Sequence, residues 1–322
     1  MTTLREDRPR QHELAQAVET AATIDAARRL GILARLDQEP ADTTTTAHHC
    51  GTAPDITRLL LEALHAAGIL ARDSAGRYAV TTDGHWCTAL AEGWSRLGDV
   101  VRTGTPVIAA HTAAGAGELY PEVVAELSRL FAPAAAEAAR LLAPVGRVLD
   151  VGAGAAPWSI ALARADAGCQ VTALDVPDVL AATRTAVAEA GLSDRFDYLG
   201  ADIFEVELPE ASYDLIMLGN VCHLFDPPTN RRLLTHLRPG LRPGGRLAIL
   251  DALPSDDPDE HRQLSQYALG LRLRTEAGTV HPLAAYQAWI AAAGYGQLST
   301  VQVSCRPPLS LLTAPARSSG LR

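Results

Sequence analysis

The apolar positions change period about halfway along the chain. From Leu14 to Leu30 the sequence is Ala-rich, with Ala22, Ala26, Arg29 and Leu30 at helical spacing, so a helix is expected that stops at Gly31. A short helix is expected from Thr44 to His49, ending at Cys50-Gly51. Asp55 stands where a cap would begin a third helix. Its apolar positions Ile56, Leu59, Leu60, Ala63, Leu64 and Ala67 repeat with the spacing of a core-facing stripe, and Gly68 ends it. Ile69-Leu70-Ala71 and Tyr78-Ala79-Val80 flank the turn Asp73-Ser74-Ala75-Gly76 and read as a β-hairpin. Helices followed by a small hairpin make a winged-helix pattern. Residues 91–146 read as helical, interrupted at Gly104 and at Gly115–Gly117.

After Pro144 short apolar runs alternate with helical segments: Val148–Val151, Val171–Leu174, Leu215–Leu218 and Leu247–Leu250. Continuous apolar strands separated by helices predict a mostly parallel sheet covered on both faces, an α/β doubly wound fold. The expected organisation is an N-terminal, mainly helical winged-helix domain over 1–95 and a second domain over 96–322. The latter divides into a helical linker, 96–145, and a sheet-bearing core, 146–313. The first ten residues read as a loose arm, and those after Leu312 as frayed.

Composition narrows the function. With 322 residues, 48% of them hydrophobic and 20% charged, the chain can bury the cores of two domains. All 28 basic residues are arginines, which excludes a lysine Schiff base or a P-loop lysine clamp. A net charge of −9 speaks against broad binding to nucleic acid or anionic membrane. Residues 1–90 hold nine arginines against twelve acids, and the helix in the DNA-recognition position offers Asp55, Arg58 and Glu62. That sign is wrong for phosphate, so packing, as in a homodimer, is the better role for this module. The opening MTTLREDRPR lacks the apolar run of a signal peptide, and five scattered cysteines show no metal-ligand spacing. A cytoplasmic protein with reduced thiols and no metal is expected.

The chemistry-bearing residues gather after the strands. Gly152 and Gly154 sit in a strand-to-helix turn, where glycine lets the backbone approach a ligand and aims helix N–H groups at it. Asp175 ends the next strand, 21 positions after Gly154, near the ~20 expected of an acid gripping ribose hydroxyls; it could also simply cap the following helix. Asp202 follows the third strand and could bond an adenine amine, with Ile203 and Phe204 packing on the ring, or be a solvated loop acid. His223 stands beyond the fourth strand and Asp251 at the end of the fifth. Neighbouring strands lie ~4.8 Å apart, so the acid could orient the imidazole. Period-2 alternation turns Cys222 away from His223 and into the core.

In this order the motifs resemble the two-domain S-adenosylmethionine-dependent O-methyltransferases of the plant and actinomycete natural-product type, over residues 14–313. Ala27-Arg28-Arg29-Leu30-Gly31-Ile32-Leu33 and Gly76-Arg77-Tyr78-Ala79-Val80-Thr81 are similar to that family's dimerisation module. Asp150-Val151-Gly152-Ala153-Gly154 resembles its glycine loop, Asp175-Val176-Pro177 its ribose turn and Gly200-Ala201-Asp202-Ile203-Phe204 its adenine loop. Leu241-Arg242-Pro243-Gly244-Gly245 looks like the turn before its fifth strand. The resemblance implies a Rossmann-like catalytic domain. It adds Asp150, Val176 and Asn220 to the cofactor contacts, makes His223 the catalytic histidine, and matches Asp251 to an acid that is more often Glu. Departures are Ala156 for the loop's third glycine, Gly219 for a basic residue, Phe225 for Trp, and no acid near Val280, beside His281.

The implied reaction is methyl transfer from S-adenosyl-L-methionine to a hydroxyl of a small aromatic metabolite, with S-adenosyl-L-homocysteine as product. An imidazole near neutrality helps remove the proton of a phenol with pKa ~10. Acceptor selection would rest on Trp94, Tyr120, Phe225, Tyr267, Arg274 and His281. Alternatives are methylation at nitrogen, sulfur or carbon, a cofactor-retaining rearrangement or cyclisation, and a winged-helix regulator sensing a nucleoside-like ligand.

Overall fold

The computed structural model describes residues 11–305 and 307–317; the expected N-terminal arm and the last five residues lie outside the described residues. Contacts divide the chain after Val101, six residues beyond the boundary expected from sequence. Among the described residues no helix is long and apolar enough to cross a membrane.

The first unit runs through α1 (Gln11–Arg29), α2 (Ile32–Gln38), α3 (Thr43–Cys50), α4 (Pro54–Ala66), β1 (Leu70–Arg72), β2 (Tyr78–Val80) and α5 (Thr82–Ser95), with α6 (Leu97–Thr103) at its end. Gly31 at φ 72° separates α1 from α2, and Gly51 at φ 64° closes α3; both need the left-handed region that glycine enters without strain. The core is Ala27, Ile32, Leu36, Leu61, Leu64 and Tyr78. β1 and β2 pair antiparallel, Leu70 opposite Val80, as the hairpin pattern predicts.

Helix α4 differs from expectation in two ways. Its cap is Ala53, with Pro54 in the first turn and no side-chain capping bond, so Asp55 is helical rather than capping. Its apolar stripe also divides. Leu61 and Leu64 face inward with Thr57, whereas Ile56 is 61% exposed and Leu59 51%. Periodicity gives spacing, but the wide apolar surface of α4 has more width than the small core can cover.

The second unit begins with α7 (Ala113–Leu142), whose cap Thr112 accepts from Gly115 N. Gly115 and Gly117 lie inside α7 rather than interrupting it. A Cβ on Gly115 would meet the Ala109 carbonyl at 2.2 Å, and one on Gly117 the Asp178 carboxylate at 2.7 Å, so both mark close packing. The remaining order is β3 (Arg147–Val151), α8 (Pro157–Ala165), β4 (Gln170–Asp175), α9 (Pro177–Glu189), β5 (Phe196–Gly200), β6 (Tyr213–Gly219), α10 (Pro227–Leu237), β7 (Leu241–Asp251), α11 (Pro258–Arg274), α12 (Leu283–Ala292), β8 (Ser299–Val303) and β9 (Leu309–Pro315).

The sheet order is β5-β4-β3-β6-β7-β9-β8. β3 to β7 are parallel, and β9 and β8 add antiparallel pairs, giving the expected mostly parallel doubly wound sheet. One face packs on α7, α8 and α9 through Phe131, Trp158, Leu162 and Val187; the other on α10, α11 and α12 through Leu233, Leu271 and Trp289. The Pro243–Gly245 segment belongs to the span of β7 as an irregularity, where the register against β6 shifts between Tyr213 and Leu215. The end is not frayed at Leu312: β9 continues to Pro315, with Ala314 opposite Leu247. Strand order reverses between β3 and β6, and ligands of such sheets bind at the carboxyl ends beside that reversal.

Candidate active site

A cleft opens at that reversal. Its wall includes Gly152 and Gly154 after β3, Asp175 and Val176 after β4, Asp202, Ile203 and Phe204 after β5, and Asn220, Leu224 and Phe225 after β6, with Tyr120 and Val124 of α7. Gly152 has φ 68° and Gly154 φ 56°. A Cβ on Gly152 would lie 2.8 Å from the Val221 side chain and one on Gly154 3.3 Å from that of Val124, so both positions favour glycine for their backbone and Gly152 for space as well. Ala156 has φ 54° and is fully buried, so it holds a conformation that glycine would adopt without strain. The turn keeps its shape without its third glycine.

Asp175 is built into the turn. Its Oδ2 accepts from Gly154 N and its Oδ1 from Val176 N, each at 2.8 Å. Helix α9 is capped at Val176 with no side-chain bond, so Asp175 does not cap it. Burial pushes its carboxyl up to about 6, against the two N–H donors. Asp150 is fully buried in β3; Ser159 donates to its Oδ2 at 2.5 Å, and burial pushes this carboxyl up to about 7. It lies beneath the turn rather than on the cleft wall. Asp202 accepts from Phe204 N at 2.8 Å, which folds the loop so that Ile203 and Phe204 join the wall. Phe204 meets Phe225 edge to face at 5.1 Å, and Arg232 covers its ring at 4.7 Å.

Asn220 has φ 59°, in the left-handed region, and its Oδ1 is buried with no hydrogen-bond partner. An orphaned acceptor and a strained backbone in a cleft wall mark a place that a ligand completes. A glycine turn that excludes side chains, an anion braced by the turn's own N–H groups, an aromatic-lined loop and that orphaned acceptor fit an adenosyl group.

His223 lies on a 3₁₀ turn, Cys222–Leu224, just past β6. Its N donates to Asp251 Oδ2 at 3.0 Å, and its Nδ1 is 2.7 Å from Asp251 Oδ1. Asp251 also accepts from Ala252 N and from the Tyr286 hydroxyl, each at 3.0 Å. The carboxylate therefore fixes the ring through Nδ1 and leaves Nε2 as the nitrogen it does not engage. Tyr267 of α11 stands against the ring, its hydroxyl 3.3 Å from Nδ1 and 3.5 Å from Nε2. His223 is 3% exposed and is not itself part of the cleft lining, to which its neighbours Leu224 and Phe225 belong. Cys222 is fully buried, and burial pushes its thiol up, as suits a core residue.

Of the acceptor residues expected from the second unit, Tyr120 and Phe225 line the cleft, whereas Tyr267, Arg274 and His281 are not part of its lining. Trp94 belongs to α5 of the first unit. His281 is buried, donates from Nε2 to the Phe225 carbonyl at 2.9 Å and packs on Trp289 at 4.9 Å; burial lowers its pKa, which favours the neutral ring. It braces the cleft from behind. Sequence reasoning missed Tyr286, whose partner Asp251 lies 35 residues away, and Trp158. A Cβ on Gly219 would lie 2.2 Å from Trp158 Nε1, so the indole fills the space a side chain at 219 would need. Gly219→Ala is expected to cost about 1–3 kcal/mol of stability through overpacking, read by chemical denaturation. An unchanged midpoint would show that the indole moves freely.

The chain matches the O-methyltransferase domain family over residues 94–296. It is 27% identical over 314 residues to the 3-hydroxy-5-methyl-1-naphthoate 3-O-methyltransferase of Streptomyces sahachiroi, covering 90% of each chain. It is 31% identical over 150 residues to the L-tyrosine C(3)-methyltransferase of Streptomyces lavendulae, covering 46% of this chain and 41% of that one. The solved human N-acetylserotonin methyltransferase in complex with SAM shares the fold, with a TM-score of 0.69 and 19% identity over 99% of this chain and 100% of that one.

Proposed function

The chain belongs to the O-methyltransferase domain family, and from that premise we propose that it methylates an aromatic hydroxyl with His223 as general base. The observation that carries this reading is the buried His223–Asp251 pair at the end of β6 and β7, beside a cleft suited to S-adenosyl-L-methionine. When bound, that cofactor supplies a sulfonium methyl group that the acceptor oxygen takes in line, leaving S-adenosyl-L-homocysteine. Asp175 would hold the ribose hydroxyls, Asp202 the adenine amine, and Ile203 with Phe204 the ring face. The glycine turn and Asn220 would receive the methionine portion. The protein's main contribution is alignment of the two reactants. The acceptor's proton passes to Nε2 of His223, while Asp251 holds the proton on Nδ1 and stabilises the resulting cation. Reaching Nε2 requires the acceptor to take the place of the Tyr267 hydroxyl. The aromatic class is supported by the naphthoate-methylating relative. Incubation with cofactor and a panel of phenols, reading S-adenosylhomocysteine against methyl ether, tests the reading; ring-carbon methylation would favour the alternative that the tyrosine-methylating relative represents.

The first unit is assigned to homodimerisation. Ile56 and Leu59 on α4, with Leu14 and Val18 on α1, leave large apolar side chains in solvent. The combined variant Ile56→Glu, Leu59→Glu is expected to run as a monomer in light scattering where the parent runs as a dimer. A parent that is already monomeric would remove the assignment. A cytoplasmic location agrees with five free cysteines.

A further inference from the structure

The last turn of α11 carries two guanidinium groups in different surroundings. Arg272 donates to the Gly104 carbonyl at 3.4 Å, and a cation is favoured at a helix C-terminus in any case. Arg274 is half-buried, and among the described residues no carboxylate or carbonyl lies within bonding distance of its side chain. Its neighbours are aromatic. The guanidinium carbon is 5.9 Å from the centre of the Tyr267 ring, and its charge acts on the Tyr120 and Tyr267 hydroxyls. Tyr267 in turn meets the His223 ring at 5.6 Å, so one aromatic side chain touches both the cation and the imidazole. The Arg274 carbonyl accepts from Ala110 N at 2.8 Å, and Ala110 and Tyr120 line the cleft. A guanidinium with no carboxylate partner, set beside aromatic rings, has its planar donor fork free for an anionic ligand.

We propose that Arg274 pairs with a carboxylate on the acceptor, which makes the substrate class an aromatic hydroxy acid. The hydroxyl lies at His223 Nε2 and the carboxylate meets the guanidinium fork, with the acceptor ring lying along Tyr267, which touches both groups. This rests on the aromatic-hydroxyl reading above and adds the second anchor that fixes which hydroxyl faces the base. Arginine rather than lysine suits the task, because two parallel N–H donors orient a planar acid as well as attracting it.

The test compares 3-hydroxybenzoate and 6-hydroxy-2-naphthoate, each beside its carboxamide, with the full chain and S-adenosylmethionine. The acid is expected to exceed its carboxamide about ten- to hundredfold in kcat/KM, and Arg274→Gln to erase most of that ratio. Arg274→Lys should restore part of it. Thermal unfolding reports whether each variant is folded, and calorimetry with S-adenosylhomocysteine reports the cofactor site separately. Equal rates for acid and carboxamide, or a preference that survives Arg274→Gln, would overturn the Arg274 assignment and leave the aromatic-hydroxyl reading standing. Loss of S-adenosylhomocysteine affinity in Arg274→Gln would assign the guanidinium to the cofactor's own carboxylate and also overturn it. Failure of every phenol, charged or neutral, would overturn both.

Discussion

His223→Ala is expected to lower kcat by about 10²–10⁴ while S-adenosylhomocysteine affinity stays within about twofold of the parent. The separation follows from the geometry. The side of the cleft proposed for the cofactor is built from the turn after β3 and the ends of β4 and β5, whereas His223 is buried and is not part of the cleft lining. Truncating the ring removes one donor to Asp251 but leaves three others, from His223 N, Ala252 N and Tyr286. The carboxylate is thus not stranded, and the loss of rate reports chemistry rather than collapse. Single-turnover measurement with saturating cofactor is the direct check. Turnover equal to the parent's would leave alignment alone as the source of catalysis and remove His223 as base.

The sheet and the glycine turn were legible because buried parallel strands read as continuous apolar runs, as in Leu215–Leu218, and because Gly152 and Gly154 take the left-handed backbone that favours glycine. Strand β8 was not legible. Ser299, Thr300, Val301 and Gln302 are exposed, so burial imposes no pattern on them. Pro315 made the end look unstructured, yet it closes β9 opposite Arg246, and Ala316 N still donates to the Gly245 carbonyl. The outward half of the α4 stripe was hidden for a different reason: Ile56 and Leu59 obey helical spacing whether they meet a core or a partner.

The site divides in the same way. Asp175 and Asp202 could be placed from their position after strands, since sheet topology alone brings those ends together. That Asp175 does not cap α9 could not be decided until the helix was seen to begin at Val176 with no side-chain bond. Gly219 stands where the family resemblance places a basic residue. Trp158 supplies the physical reason, because its indole occupies that space and would exclude arginine equally. Tyr286 gave no signal, since one tyrosine in an Ala-rich helix is indistinguishable from ordinary core until Asp251 is beneath it.

Asp175→Ala is expected to weaken S-adenosylhomocysteine binding about 10²-fold, because two ribose hydroxyls would lose a charged acceptor. The pH dependence distinguishes this from general damage. Burial has raised the Asp175 carboxyl to about 6, above the ordinary carboxylate value, so the empty protein holds this proton more tightly than the unfolded chain does. The group therefore adds stability to the empty protein as pH falls from about 6 towards 4, and the wild type should gain stability relative to Asp175→Ala across that window. Cofactor binding runs the opposite way, because hydroxyl donors need the ionised form. Affinity should fall as pH drops through about 6 in the wild type and stay flat in Asp175→Ala. Asp150 titrates near 7 but makes no cleft contact, so it adds to the stability curve and leaves the variant's binding curve level. Calorimetry at pH 5 and pH 8 reads both branches. A variant that binds as tightly as the parent, or that retains the parent's pH dependence, would transfer the ribose role from Asp175 to another acceptor in the cleft.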